Sequence, residues 1–203
     1  MPPTIVYLHG FRSSPASAKA KRLGEAVAAL PERDRPMLHV PPLDDRPAVA
    51  MAAILDLARN ADPSGVTFIG SSLGGYYATH AAEALNAKAV LVNPAVRPHD
   101  ELAAYRGRQF NLHTGVAFDV TDHHFEELRA LAIPRITRPE RYLLLVQSGD
   151  EVLDYRVAVA FYGGAWQQVS GGGDHAFTGF ETQIPGILRF CGVGDAFGVV
   201  RRD

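Results

Sequence analysis

An open α/β fold, with a mostly parallel sheet flanked by helices, is expected from this sequence on two observations. Apolar runs of strand length alternate with stretches of helical periodicity along most of the chain. One such run, Val66-Thr67-Phe68-Ile69, leads through Gly70-Ser71-Ser72-Leu73-Gly74 into a helical stretch, a sharp strand-to-helix junction. Strands separated by helices pair in parallel through right-handed crossovers.

Thr4 to Leu8 is read as the first buried strand. Ser17 to Leu30 is the first helix, with Ala18, Leu23, Ala26, Val27 and Leu30 at helical spacing. Met37 to Val40 is a short strand closed by Pro41-Pro42. Pro47 to Ala61 is a helix with proline at its start, where a missing N–H costs nothing. Val66 to Ile69 and Ala87 to Val92 are strands on either side of a helix from Gly75 to Leu85. Tyr142 to Val146 is a further apolar strand, Ala165 to Val169 a weaker one, and Glu181 to Phe190 a last helix disturbed by Pro185. Residues 97–139 break the alternation: they carry no strong strand, and one helical stretch, Thr121 to Ala132. A long excursion at a strand end reads as a small cap over a pocket rather than a plain surface loop. One domain is expected over residues 1–203, with 97–139 as the cap-like insertion, since about 150 residues make a typical domain.

Composition excludes several classes. Hydrophobic residues make up 47% and charged residues 21%, ordinary values for a globular chain. A net charge of −2 lacks the basic surface that a nucleic-acid binder needs. The longest uncharged stretch, Pro63 to Ala82, is interrupted by Gly, Ser, Thr and His, so no membrane span is expected. The N-terminal residues do not read as a signal peptide. The single cysteine, Cys191, rules out an internal disulfide and reads as a buried small residue. A cytoplasmic location is the expectation.

Gly70-x-Ser72-x-Gly74 is the most informative spacing. A residue at the tip of a tight strand-to-helix turn has its side chain exposed, and only small neighbours fit two positions away. The N–H groups and positive dipole end of the following helix point to the same spot. A serine hydroxyl needs a base within hydrogen-bond reach, and the base needs an orienting acid. In this architecture they follow the serine in the order acid, then histidine. Asp150 falls just past the strand ending at Val146 and is the expected acid, with Glu151 and Asp154 as neighbouring rivals. Of eight histidines only His175 lies beyond it, so His175 is the expected base.

An oxyanion hole needs two main-chain N–H donors. Leu73, after the serine, and Phe11, in the loop after the first strand, are the candidates; His9 is expected to brace that loop. His9, Gly10, Tyr76 and Phe177 are the expected substrate pocket. Arg12, Lys19, Lys21 and Arg22 could meet an anionic leaving group, although a solvated helix face is the favoured reading. Asn93-Pro94 reads as a turn closing a strand, with a pocket wall as the other option. The glycine run 171–173 lacks the lysine and the junction of a phosphate-binding loop.

Five blocks in order, Leu8-His9-Gly10-Phe11-Arg12-Ser13-Ser14-Pro15, Gly70 to Tyr77, Val92 to Pro98, Ser148 to Tyr155 and Gly172 to Phe177, resemble the YqiA-type esterases of the α/β-hydrolase superfamily. The resemblance implies an abbreviated α/β-hydrolase fold. It also implies an esterase or thioesterase using Ser72, Asp150 and His175, without a metal or other cofactor. The expected partner is a small acyl ester or thioester. Departures from the family pattern lie between Gly107 and Pro139 and after Phe190. An acyltransferase or peptidase on the same scaffold would keep the three residues, and a non-catalytic ligand-binding module would keep only the fold.

Overall fold

The computed structural model describes residues 2–60 and 65–193. Among these, eight strands run in chain order: β1 (Thr4–Leu8), β2 (Met37–His39), β3 (Val66–Ser71), β4 (Lys88–Val92), β5 (Gly107–Phe110), β6 (Ala117–Val120), β7 (Tyr142–Gln147) and β8 (Trp166–Ser170). Six of them form one sheet in the order β2-β1-β3-β4-β7-β8, and every neighbouring pair is parallel. The helices are α1 (Ala18–Ala28), α2 (Pro47–Arg59), α3 (Leu73–Leu85), α4 (Pro98–Glu101), α5 (Asp122–Ala130), α6 (Tyr155–Phe161) and α7 (Ile184–Phe190).

Strand alternation sorts the core into two layers. Ile5 and Tyr7 of β1, with Val90 and Val92 of β4, pack against Leu23 and Val27 of α1 and Ile187 and Leu188 of α7. Val6, Leu8, Ala89 and Leu91 face the other way, onto α2, α3, α5 and α6. Both faces of the central strands are covered, which is why they are apolar without interruption. β1 lies between β2 and β3, so the chain leaves it on one side and returns on the other. That reversal opens a crevice at the carboxyl ends of β1 and β3, the place where such sheets bind ligands.

The seven apolar strands and helices expected before residue 97 are present with boundaries shifted by a few residues. α3 begins at Leu73 rather than Gly75, and α2 ends at Arg59; Ala61, its expected end, lies outside the described residues. The final helix splits into a 3-10 turn, Phe180–Thr182, and α7, with Pro185 in the first turn of α7.

The expectation of no strong strand in 97–139 is corrected. β5 and β6 pair antiparallel, Gly107 opposite Val120 and Phe110 opposite Ala117. β5 is short, polar and largely exposed, and β6 is four residues long with Asp119 interrupting its apolar residues, so neither carries an apolar run of strand length. α6 was also not expected: its Val-Ala-Val-Ala core imitates strand alternation, and Asp154 starts it by accepting the Arg156 N–H at 3.0 Å. The hairpin docks on the loop after β1. Leu112 N–H donates to the Arg12 carbonyl at 2.8 Å, Asn111 Nδ2 to the Ser13 carbonyl at 2.7 Å, and Arg12 Nε to the Phe110 carbonyl at 3.1 Å. Phe11 makes edge-on contacts with Phe118 and Tyr105.

Candidate active site

Ser72 sits between β3 and α3 with φ 55° and ψ −124°, a left-handed conformation that a serine adopts only under constraint from its surroundings. The constraint is tight packing around the turn. A Cβ on Gly70 would lie 2.2 Å from the Gly74 carbonyl oxygen, and one on Gly74 would lie 2.0 Å from the Leu8 carbonyl oxygen. α3 is thereby pressed onto β1 and β3. The Ser72 carbonyl accepts from Gly75 N–H at 2.9 Å and from Ala95 N–H at 3.1 Å, which fixes the peptide and leaves the hydroxyl projecting.

Ser72, Asp150 and His175, far apart in the chain, lie in one hydrogen-bonded line. Ser72 Oγ is 3.0 Å from His175 Nε2. His175 Nδ1 is 2.9 Å and 3.0 Å from the two Asp150 carboxylate oxygens. A carboxylate only accepts, so Nδ1 carries the proton and Nε2 is free to receive one from Ser72. The Asp150 side chain is 2% exposed and that of His175 23%. Burial pushes the Asp150 carboxyl up, but His175 and the N–H groups of Leu153 and Val152 outweigh it and hold the group below its ordinary value. The carboxylate form is therefore the resting one at neutral pH.

The neighbouring acids have other partners. Glu151 accepts the main-chain N–H of His175 at 2.9 Å, so it holds the histidine's loop and does not touch the imidazole. Asp154 caps α6. Among the other histidines, His80 meets the Leu131 carbonyl, and His124 accepts the Thr121 N–H at the start of α5.

The loop carrying His175 is clamped from several sides, and sequence reasoning missed most of the clamp. Asn93, at φ 41°, accepts Gln147 N–H at 3.0 Å and donates through Nδ2 to the carbonyls of Asp174 (2.9 Å) and His175 (3.3 Å). Gln147 accepts Asp174 N–H at 3.1 Å and donates to the Thr178 carbonyl at 2.7 Å. Gly173, at φ 76°, leaves room for the Gln147 amide, which a Cβ would meet at 2.0 Å. Lys19 Nζ donates to the Ala176 carbonyl at 2.8 Å. Burial lowers the Lys19 ammonium, opposed by the charges of Asp174 and Asp150. The sequence marks Asn93-Pro94 only as a turn closing a strand; the left-handed backbone of Asn93 and its side-chain partners become visible in the fold alone.

The loop after β1 lies against the serine. A Cβ on Gly10 would stand 3.2 Å from Ser72 Cβ and 3.6 Å from its Oγ. Among the described residues, neither Phe11 N–H nor Leu73 N–H donates to a main-chain carbonyl. His9 is 4% exposed and meets the Gly10 carbonyl through Nδ1 at 3.1 Å; burial lowers its pKa, so the ring is neutral at pH 7.

Next to this loop is a cavity of about 320 Å3, walled by His9, Gly10, Phe11, Leu73, Tyr77 and Phe118 and bordered by Asp44 and Asp45. Two expected pocket residues are elsewhere. Tyr76 faces the core and donates its hydroxyl to the Leu128 carbonyl at 2.5 Å. Phe177 packs on Phe180 in the layer of α1 and α7, on the other side of the sheet. Helical geometry explains the first: Tyr77, one position on, turns to the cavity, and Tyr76 then cannot. Cys191 is buried, and desolvation pushes its thiol up to about 12.

A parallel sheet with a strained serine at a strand-to-helix turn, faced by a histidine after its last strand, is the architecture of the α/β hydrolases. Solved structures agree on the fold. The chain is similar to a protein of Agrobacterium vitis S4 provisionally described as a hydrolase, at 16% identity and TM-score 0.74 over 94% of this chain and 88% of that one. It is similar to mouse α/β hydrolase domain-containing protein 10, at 15% identity and TM-score 0.69 over 96% and 89%. It is also similar to Est1E of Butyrivibrio proteoclasticus with ferulic acid bound, at 15% identity and TM-score 0.67 over 93% and 87%. Within that class the chain belongs to the uncharacterised protein family UPF0227, whose model matches residues 4–192; this is the YqiA-type family. Among the described residues, no helix is long and apolar enough to cross a membrane.

Proposed function

We propose that the protein is a serine hydrolase that cleaves carboxylic esters or thioesters through a covalent acyl-enzyme. The observation that carries this reading is the line Ser72 Oγ, His175 Nε2, His175 Nδ1, Asp150 carboxylate, with its 3.0 and 2.9 Å links. His175 Nε2 takes the Ser72 proton as Oγ attacks the substrate carbonyl. Asp150 holds the tautomer and stabilises the imidazolium. The tetrahedral oxyanion is received by the N–H groups of Phe11 and Leu73, each such donor contributing about 3–4 kcal/mol to the transition state. His175 then protonates the departing alcohol or thiol. A water, deprotonated by the same nitrogen, attacks the acyl-enzyme, and the carboxylic acid leaves with Ser72 restored.

Residues 97–139 act in this reading as a small cap, because the β5–β6 hairpin grips the oxyanion loop through Arg12, Ser13 and Phe11. Residues 1–203 then work as one catalytic unit. An esterase domain from Rhodothermus marinus and Est1E share this fold, which supports small esters as the substrate class. Arg12 and Lys19 are occupied by the carbonyls of Phe110 and Ala176, which weakens the case for a phosphate-bearing leaving group.

The test is hydrolysis of p-nitrophenyl acetate and of acetyl thioesters by the wild-type protein and by Ser72→Ala. The variant should lose about 10^3–10^6 of kcat while keeping its fold. Full turnover by a folded Ser72→Ala protein would overturn the assignment.

A further inference from the structure

The two edges of the six-stranded sheet differ. β2 is three residues long, with Pro36 before it and Pro41-Pro42 after it, and its Met37 N–H is taken by the Pro3 carbonyl. Short strands and prolines are the ordinary protection of a sheet edge. β8, the other edge, has neither. It lies in an uncharged run of eleven residues, Gly163 to Gly173, without lysine or proline. Trp166 is 67% exposed and Val169 48%.

The strand register tells which groups are free. Ser148 N–H donates to the Ser170 carbonyl at 2.9 Å, so Ser170 turns its main chain to β7. Alternation gives Trp166 and Gln168 the same direction and turns the N–H and C=O groups of Gln167 and Val169 outwards. Among the described residues, none of these outward groups has a partner. The side chains alternate too. Gln167 reaches the Val159 and Tyr162 carbonyls, so it lies with Val169 on the α6 face, and Trp166 and Gln168 lie on the opposite one.

We propose that β8 is a homodimer edge: β8 of a second copy pairs antiparallel with it about a twofold axis at Gln168. In that register Gln167 of each copy exchanges both hydrogen bonds with Val169 of the other, so every outward main-chain group of the two residues is used. Trp166 comes opposite Ser170, and the glycines at 163–164 come opposite those at 172–173, where no side chain obstructs the crossing chain. A second copy is the occupant that fits, because the register that pairs both outward residues within β8 is also centred on the uncharged run. Such a strand meets itself without like charges face to face. A twofold contact also closes on itself, so the pairing stops at two chains. The carboxyl ends of the two sheets then point in opposite directions. Each copy keeps its own Ser72, Asp150 and His175, whatever reaction they run.

Sedimentation velocity of the full chain from about 1 to 300 µM, where small interfaces associate, should show a monomer–dimer equilibrium. Trp166 is the only tryptophan, so its emission should shift to the blue with the same midpoint. Val169→Pro removes an outward N–H that the monomer does not use and should raise the dissociation constant at least tenfold, by about the worth of the lost bonds. Gln168→Lys and Gln168→Glu each set like charges face to face on the axis and should each raise it about fivefold. Mixed in equal amounts, the two Gln168 variants should associate at least as tightly as the wild type. Circular dichroism checks the fold of all three, and the Gln168 pair carries the test if the proline disturbs β8. A wild-type protein that is monomeric across that range overturns the proposal and leaves the edge to a strand of another protein or to none. A dimer with unmoved Trp166 emission, or one that the Gln168 variants and their mixture do not alter, is held by another surface and overturns it as well.

Discussion

Removing the Asn93 side chain should disable the enzyme without touching any reacting atom. Asn93 joins the end of β7 to the loop of His175 by three hydrogen bonds. Truncation leaves the buried Gln147 N–H unpaired, which costs about 1–3 kcal/mol, and frees two loop carbonyls at about 0.5–1.5 kcal/mol each. The backbone complicates an alanine variant. At φ 41° a new Cβ residue without a side-chain amide suffers about 1–2 kcal/mol of left-handed strain. Asn93→Gly avoids that strain and isolates the clamp. The expected loss for Asn93→Gly is about 2–6 kcal/mol of stability, measured by urea unfolding. A loop released by even 1 Å takes the imidazole out of line with Ser72 Oγ, so kcat should fall about 10^2-fold. KM should change little, because Asn93 does not line the cavity. The assay is steady-state ester hydrolysis, with active sites counted by irreversible labelling so that unfolded protein does not enter kcat. A folded Asn93→Gly protein with wild-type kcat per active site would refute the clamp.

Four further outcomes follow from the same geometry. Asp150→Asn should lower kcat by about 10^4-fold with the fold retained, since the amide no longer fixes the imidazole tautomer; ester hydrolysis by the folded variant reads it. Folding favours the Asp150 carboxylate, so its stabilisation is present above the ordinary carboxyl value of 3.8 and is lost as pH falls through the lower folded-state value. Urea midpoints should therefore drop in acid for the wild type and drop less for Asp150→Asn. Gly74→Ala places a Cβ 2.0 Å from the Leu8 carbonyl and should cost about 3 kcal/mol or prevent soluble expression, seen in the thermal midpoint. Tyr76→Phe removes one of the two hydrogen bonds on the Leu128 carbonyl, which keeps the Leu131 N–H at 3.2 Å, and should cost about 0.5–1.5 kcal/mol by thermal unfolding, while kcat/KM stays within about twofold because the ring faces the core.

What the sequence revealed, and what it hid, divides along physical lines. The strands β1, β3, β4 and β7 are buried on both faces, so their apolar runs announce themselves. Ser72 is marked by glycines that sterics demand on either side, and Asp150 and His175 by their order after it. The hairpin β5–β6 is invisible because its stability comes from docking on residues 11–13, not from an apolar pattern. Asn93, Gln147 and Glu151 act on main-chain atoms of residues 174–178, so their roles exist only once distant segments meet. Tyr76 and Phe177 show the limit of proximity in sequence: one helical step, or one face of the sheet, separates a pocket wall from the core.

The central claim is that Ser72 is a nucleophile activated by His175. A fluorophosphonate probe followed by intact-mass and peptide mass spectrometry measures this most directly. The account predicts a single adduct on Ser72 in the wild type, none in Ser72→Ala, and greatly slowed labelling in His175→Ala. A native protein that takes up no probe, or takes it up on another residue, would contradict it.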